Sequence, residues 1–147
     1  LATLNTRAAL VHVFGDPFFA ALQQADLLFC NASEAYAVSK TTTPSEAFAK
    51  LKELVPSVVV TDGPHGAFIR HAGDEAHVAA YPCQPRDLTG AGDMFAGSFL
   101  YGITHGVPAA KAARAANFLA MKVITQVGAR LHHGTKQYWE QALSEVS

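Results

Sequence analysis

Apolar residues in this chain fall into two kinds of run, and their alternation sets out a fold. Short continuous runs bounded by turn residues read as strands covered on both faces. They are Ala9-Leu10-Val11-His12-Val13-Phe14, Asp26-Leu27-Leu28-Phe29-Cys30 and Ser57-Val58-Val59-Val60-Thr61, the last richest in β-branched residues. Between and after them, apolar residues recur at three- and four-residue spacing. A helix over residues 17–25 turns Phe18, Phe19 and Leu22 to a core, with Asp16 as its cap and Pro17 at its first position. A helix over 45–54 turns Phe48, Leu51 and Leu54 inward. A strand Ala67–His71, a turn at Gly73-Asp74 and a strand near 77–81 follow. A helix over 91–106 lines up Phe95, Phe99 and Gly102. A second begins at Pro108 and runs through small residues to Ala120, allowing close approach of a backbone or a flat ring. A last helix, Thr135–Glu145, holds Trp139, read as packing. Such alternation predicts an α/β sheet with helices on both faces.

Composition narrows the possibilities further. At 147 residues and 50% hydrophobic, the chain can bury a core and suits one domain. A net charge of −1 gives no electrostatic case for nucleic acid or an anionic membrane as a partner. Cys30 and Cys83 form no Cys-x-x-Cys and are too few for a disulfide framework, which points to a reducing, cytoplasmic setting. No apolar run approaches the ~20 residues that span a bilayer, and no signal-peptide pattern opens the chain. No Gly-x-x-x-x-Gly-Lys-Ser/Thr is present, and Gly90-x-Gly92 runs on to Phe95 where a dinucleotide fingerprint needs glycine or alanine. His132-His133 has no third ligand at zinc spacing.

The chemistry concentrates in Asp87-Leu88-Thr89-Gly90-Ala91-Gly92-Asp93, directly before the helix over 91–106. A helix start exposes unpaired N–H groups and the positive end of its dipole, which suits an anion. Glycine costs a helix about 1 kcal/mol relative to alanine, so two at the start need a reason. Either they admit a phosphate to the backbone and Asp93 takes a proton beside it, or Thr89 is an ordinary N-cap with a glycine turn and a first-turn acid.

This stretch resembles the signature of the ribokinase-like family of carbohydrate and purine kinases, the pfkB family. The commoner form has Thr at the position of Leu88. The resemblance implies a ribokinase-like three-layer sandwich, a mostly parallel sheet flanked by helices, of which residues 1–147 form the C-terminal nucleotide-binding and catalytic part. Family members are about twice as long; the implied N-terminal part carries most acceptor contacts and the lid, through which a homodimer could form. It implies transfer of the γ-phosphoryl of ATP to a hydroxyl of a sugar or nucleoside. Asp93 would be the base, and the amides of Gly90, Ala91 and Gly92 the hole for the phosphoryl group. Gly15-Asp16-Pro17-Phe18 resembles a phrase of the adenosine-kinase branch. A nucleotide-binding fragment without catalysis, or a regulatory protein on the same scaffold, are the alternatives.

Three further motifs gain a second meaning from that resemblance. Asn31 and Glu34, three apart after a strand, read locally as an N-cap and its capping-box partner; by resemblance they order Mg2+ and its waters, and oxygen ligands suit that ion. Thr61-Asp62-Gly63-Pro64-His65-Gly66 reads locally as a hairpin turn; by resemblance Thr61, Asp62, Gly63 and Gly66 lie over the nucleotide. Asn117 is locally an exposed polar residue; by resemblance it lines the adenine pocket with a donor and an acceptor. Gln126-Val127-Gly128-Ala129-Arg130 resembles the ending at which potassium-dependent members ring K+ with carbonyls, implicating Asp87, Thr89, Val123, Gln126 and Gly128.

Overall fold

A computed structural model describes residues 1–5, 8–131 and 133–145. It divides into two compact units, Leu1–Gly63 with Ala67–His77, and Pro64–Gly66 with Val78–Ser147.

The first unit is a five-stranded sheet with three helices. Strand β1 is Thr3–Asn5, helix α1 Ala8–Gln23, β2 Leu27–Asn31, α2 Ala32–Ser39, α3 Pro44–Leu54, β3 Ser57–Thr61, β4 Ala67–His71 and β5 Asp74–Val78. The strands lie in the order β1-β2-β3-β4-β5. The β1–β2 and β2–β3 pairs are parallel and β3–β4 is antiparallel. The register sets Asn31 opposite Thr61, so the last residues of two parallel strands stand side by side.

The first apolar run departs from expectation. Residues 9–14 are helical rather than extended, and the place beside β2 is taken by Thr3–Asn5. A six-residue run that is apolar but for His12 satisfies either period, and Ala8, Ala9 and Leu10 favour the helix. The expected boundary at Gly15 nevertheless holds: its φ of 40° and ψ of −115° break α1, and Pro17 follows at the start of the resumed helix, where a missing N–H costs least.

Beyond that break, Phe18, Leu22, Leu28, Cys30, Phe48, Leu51, Val58 and Val60 form one buried cluster. On α3, Ala47, Phe48 and Leu51 are buried, but Leu54 is 41% exposed. At 100° per residue the inward stripe runs 47, 48, 51 and on to buried Val55, leaving Leu54 off its edge. The last strand also starts three residues sooner than expected. Ala72 and Gly73, at φ 52° and 89°, make so tight a turn that pairing resumes at Asp74.

Three helices make up the second unit: α4 Ala91–Thr104, α5 Ala109–Ile124 and α6 Thr135–Glu145. The alanines of α5 at 112, 113, 115 and 116 are all fully buried. A Cβ added at Gly102 of α4 would lie 2.7 Å from the Ala112 Cβ and 2.9 Å from the Trp139 ring, so glycine permits this close crossing. Phe118, Leu119 and Ala142 form the buried centre, with Tyr81, Met94 and Trp139 packed around it.

Candidate functional site

Helix α4 begins without a side-chain cap. Its N-cap is Gly90, held at φ 83°, which has no side chain to accept from the first-turn amides. The first full helical bond is Met94 N–H to Gly90 O at 2.9 Å; Ala91 N–H reaches back to Leu88 O at 3.4 Å. Among the described residues no acceptor meets the amides of Gly92 and Asp93. Thr89 is therefore not the cap; its N–H donates to Asp87 Oδ1 at 2.9 Å.

The two signature glycines differ in why they are glycine. A Cβ on Gly90 would lie 2.4 Å from Ala129 O and 2.8 Å from Ala129 Cα, and the positive φ disfavours any side chain. A Cβ on Gly92 would meet nothing within 4 Å, and its φ is not positive. The fold requires Gly90 and leaves Gly92 unexplained.

Asp93 occupies the first turn, exposed, and no described residue gives its carboxylate a hydrogen bond or ion pair. It lines an open pocket of about 840 Å³ together with Met94, Ser98, Tyr101, Arg130 and Trp139, among others. Trp139 does pack as expected, its ring edge-on to Tyr101 at 5.3 Å. Sequence reading missed its second role as a pocket wall, because the wall combines α4, α6 and the loop between α5 and α6, and no local pattern marks that.

Asp87 joins the signature to the loop after α5. Its Oδ1 accepts from Thr89 N–H and its Oδ2 from Gly128 N–H, each at 2.9 Å. Hydrogen bonds from the Thr89 side chain and backbone, then from the Gly128 backbone, hold this carboxyl below its ordinary range. Ile124 O accepts from both Arg86 N–H (2.7 Å) and Asp87 N–H (3.2 Å). Gln126 N–H bonds Val123 O at 3.3 Å, and its side chain donates to Arg130 O at 2.8 Å. The second unit thus gathers Asp87, Thr89, Gly90 and Gly128 at one joint, with Val123 and Gln126 in the adjoining turn.

In the first unit, Asn31 caps α2. Its Oδ1 accepts from Glu34 N–H at 3.0 Å and from Ser33 Oγ at 2.7 Å, and Glu34 Oε2 accepts from Asn31 N–H at 2.9 Å. The expected capping box is complete. Beside Asn31 in the register stands Thr61, and Asp62 and Gly63 follow it. Burial first, and the Glu34 carboxylate second, push the Cys30 thiol far up, and its Sγ donates to Val59 O at 3.7 Å.

Gly66 and Asn117 belong to the second unit and share a purpose there. A Cβ on Gly66 would fall 2.0 Å from Val78 O. Asn117 is buried rather than exposed, and its Nδ2 donates to Val78 O (3.4 Å) and Ala79 O (3.0 Å). Glycine at 66 thus makes way for the chain's own backbone at 78–80, which the amide of Asn117 holds.

Comparison with known proteins places most of this chain in one family. Residues 5–135 match the pfkB family carbohydrate kinases. An inositol 3-kinase of Zea mays is 41% identical over 76 residues, which cover 52% of this chain and 20% of that protein. The solved adenosine kinase of Sinorhizobium meliloti superposes with a TM-score of 0.87 at 27% identity, over 95% of this chain and 44% of that one. A ribokinase II of E. coli, solved with ATP and Mg2+, superposes with a TM-score of 0.78 at 26% identity, over 97% of this chain and 47% of that one. The chain spans less than half the length of these solved relatives.

Proposed function

The chain belongs to the pfkB family of carbohydrate kinases, and from that premise we propose that it supplies the phosphoryl-transfer centre of a kinase acting from ATP on a hydroxyl of a sugar, cyclitol or nucleoside. The observation that carries this reading is the start of α4: an uncapped first turn, a glycine the fold does not need at 92, and an unengaged acid at 93.

Each part has a task in the reaction. Asp93 accepts the proton of the acceptor hydroxyl as its oxygen attacks the γ-phosphorus. The amides of Ala91, Gly92 and Asp93, fixed by the helix before any substrate arrives, stabilise the charge on the transferring group. Gly92, carrying no Cβ, lets that group reach the backbone. Over the nucleotide we place Thr61, Asp62, Gly63 and Gly66. Asn117 keeps Oδ1 for a base amino group while its Nδ2 holds the carbonyls of Val78 and Ala79.

Glu34 and Asn31 fit hydrated Mg2+ in their chemistry: a carboxylate offering oxygen beside an amide, both open at least in part to solvent and held in place by the capping box. They would hold the ion largely through its waters, and bound there it would neutralise phosphate charge. The E. coli relative solved with ATP and Mg2+ supports both ligands.

The test is transfer of labelled γ-phosphate from Mg·ATP to adenosine, ribose, fructose and inositol by the full-length gene product, with Asp93→Asn as control. Transfer lost in the variant while ATP still binds is the expected result. Absence of both transfer and ATP binding overturns the reading. Because the chain covers 44% of the adenosine kinase it superposes on, a nucleotide-binding part without catalysis of its own is the second reading, met by ATP binding with no transfer to any acceptor.

A further inference from the structure

Asp87 sits six residues before the proposed base and outside the pocket, yet it makes two 2.9 Å bonds at once, one of them to a residue 41 positions away. Its main chain is tied to the same loop, since Ile124 O accepts from Arg86 and Asp87 N–H groups. The loop so held carries Ala129, whose backbone lies against Gly90 closely enough to exclude a Cβ. Gly90 in turn is the residue whose left-handed conformation aims the first turn of α4.

We infer that Asp87 is a positioning residue for the transfer reaction: its carboxylate ties Gly128, so that Ala129 backs Gly90 and the amides of Ala91, Gly92 and Asp93 stay aimed at the transferring group. This rests on the phosphoryl-transfer reading above. The carboxylate is needed because both bonds run from backbone N–H groups to side-chain oxygens. Asparagine is nearly the same shape but has one oxygen, and would set an N–H donor against one of the two amides. A carboxylate also makes stronger bonds to N–H than a neutral amide does.

The variant to make is Asp87→Asn in the full-length gene product. Hydrogen exchange read by NMR there shows faster exchange at Thr89 or Gly128, with the amides within α5 unchanged. In the same protein, kcat falls on the order of 10- to 100-fold, as a small misplacement of catalytic groups costs, while KM for ATP stays within about twofold. Adding Asp87→Asn to Asp93→Asn brings little further loss, because the first residue acts through the second. Unchanged exchange at both amides overturns the inference, as does an unchanged kcat. Equal losses in kcat, ATP affinity and overall stability overturn it in favour of a purely structural role. Recovery of kcat on raising K+ overturns it in favour of a cation ligand. If the unaltered protein transfers phosphate to no acceptor, the kinase reading is what has failed, and the exchange measurement alone decides whether Asp87 holds this joint.

Discussion

Helices α2 and α4 begin alike and end up doing opposite things. Each has an acid at the third helical position, Glu34 in one and Asp93 in the other. In α2 the cap is Asn31, and its side chain and that of Glu34 close on each other's backbone. In α4 the cap is Gly90, which has nothing to offer, and Asp93 is left unengaged above open amides. The same charge at the same helical position therefore stabilises the fold in one helix and stands ready for chemistry in the other. The cap residue makes the difference, because it decides whether the first-turn donors are answered from within the chain.

The largest effect expected from this contrast is on turnover. Asp93→Asn lowers kcat by about 10²- to 10⁴-fold, the usual worth of a positioned base. It costs only about 0.3–1 kcal/mol of stability, from the lost interaction with the helix dipole. Glu34→Gln behaves the other way round. Glutamine still completes a capping box, so stability holds, while the Mg2+ dependence of ATP binding shifts to higher metal concentration. Steady-state kinetics with thermal melts on both variants read the contrast directly, and a large stability loss in Asp93→Asn with normal turnover would break it.

Next in size is Gly90→Ala. Alanine pays about 1–2 kcal/mol for the left-handed conformation, and the overlap with Ala129 adds roughly 1–3 kcal/mol. A loss of about 2–5 kcal/mol in urea unfolding is expected, and a loss below 1 kcal/mol would mean the joint yields easily. Asn31→Ala opens the box on α2 and is expected to cost about 1 kcal/mol, within the usual range for a lost N-cap.

How much of this was legible in the sequence depended on the reach of each interaction. The capping box, the β3 run, the helix Thr135–Glu145 and the break at Gly15 are set by residues within a turn of one another, and all stood where local patterning put them. Residues 9–14 misled because so short a run, apolar but for His12, suits a helix or a strand, and the choice was settled by which segment pairs with β2. Asn117 looked exposed because the carbonyls it serves lie 38 and 39 residues away. Likewise the sequence shows a glycine at 90 and an acid at 87, but not that Ala129 and Gly128 lie against them. The family signature located the candidate site; its supports are long-range and had to be seen.

The smallest effect is also the most discriminating, and it falls on Gly92. Nothing in the fold needs glycine there: a Cβ would stand in open space, and the backbone is helical. Gly92→Ala should therefore stabilise the chain by about 0.5–1 kcal/mol. For a domain of this size that is a rise in Tm of about 1–4 °C. If the space above Gly92 belongs to the transferring phosphoryl group, the same methyl stands in its way, and transfer falls as stability rises. A stabilising substitution that lowers activity is hard to explain by packing, since packing defects move both in the same direction. Should Gly92→Ala gain stability and keep full transfer, the phosphoryl group does not approach there. The uncapped start of α4 would then differ from that of α2 only in having been built from glycine.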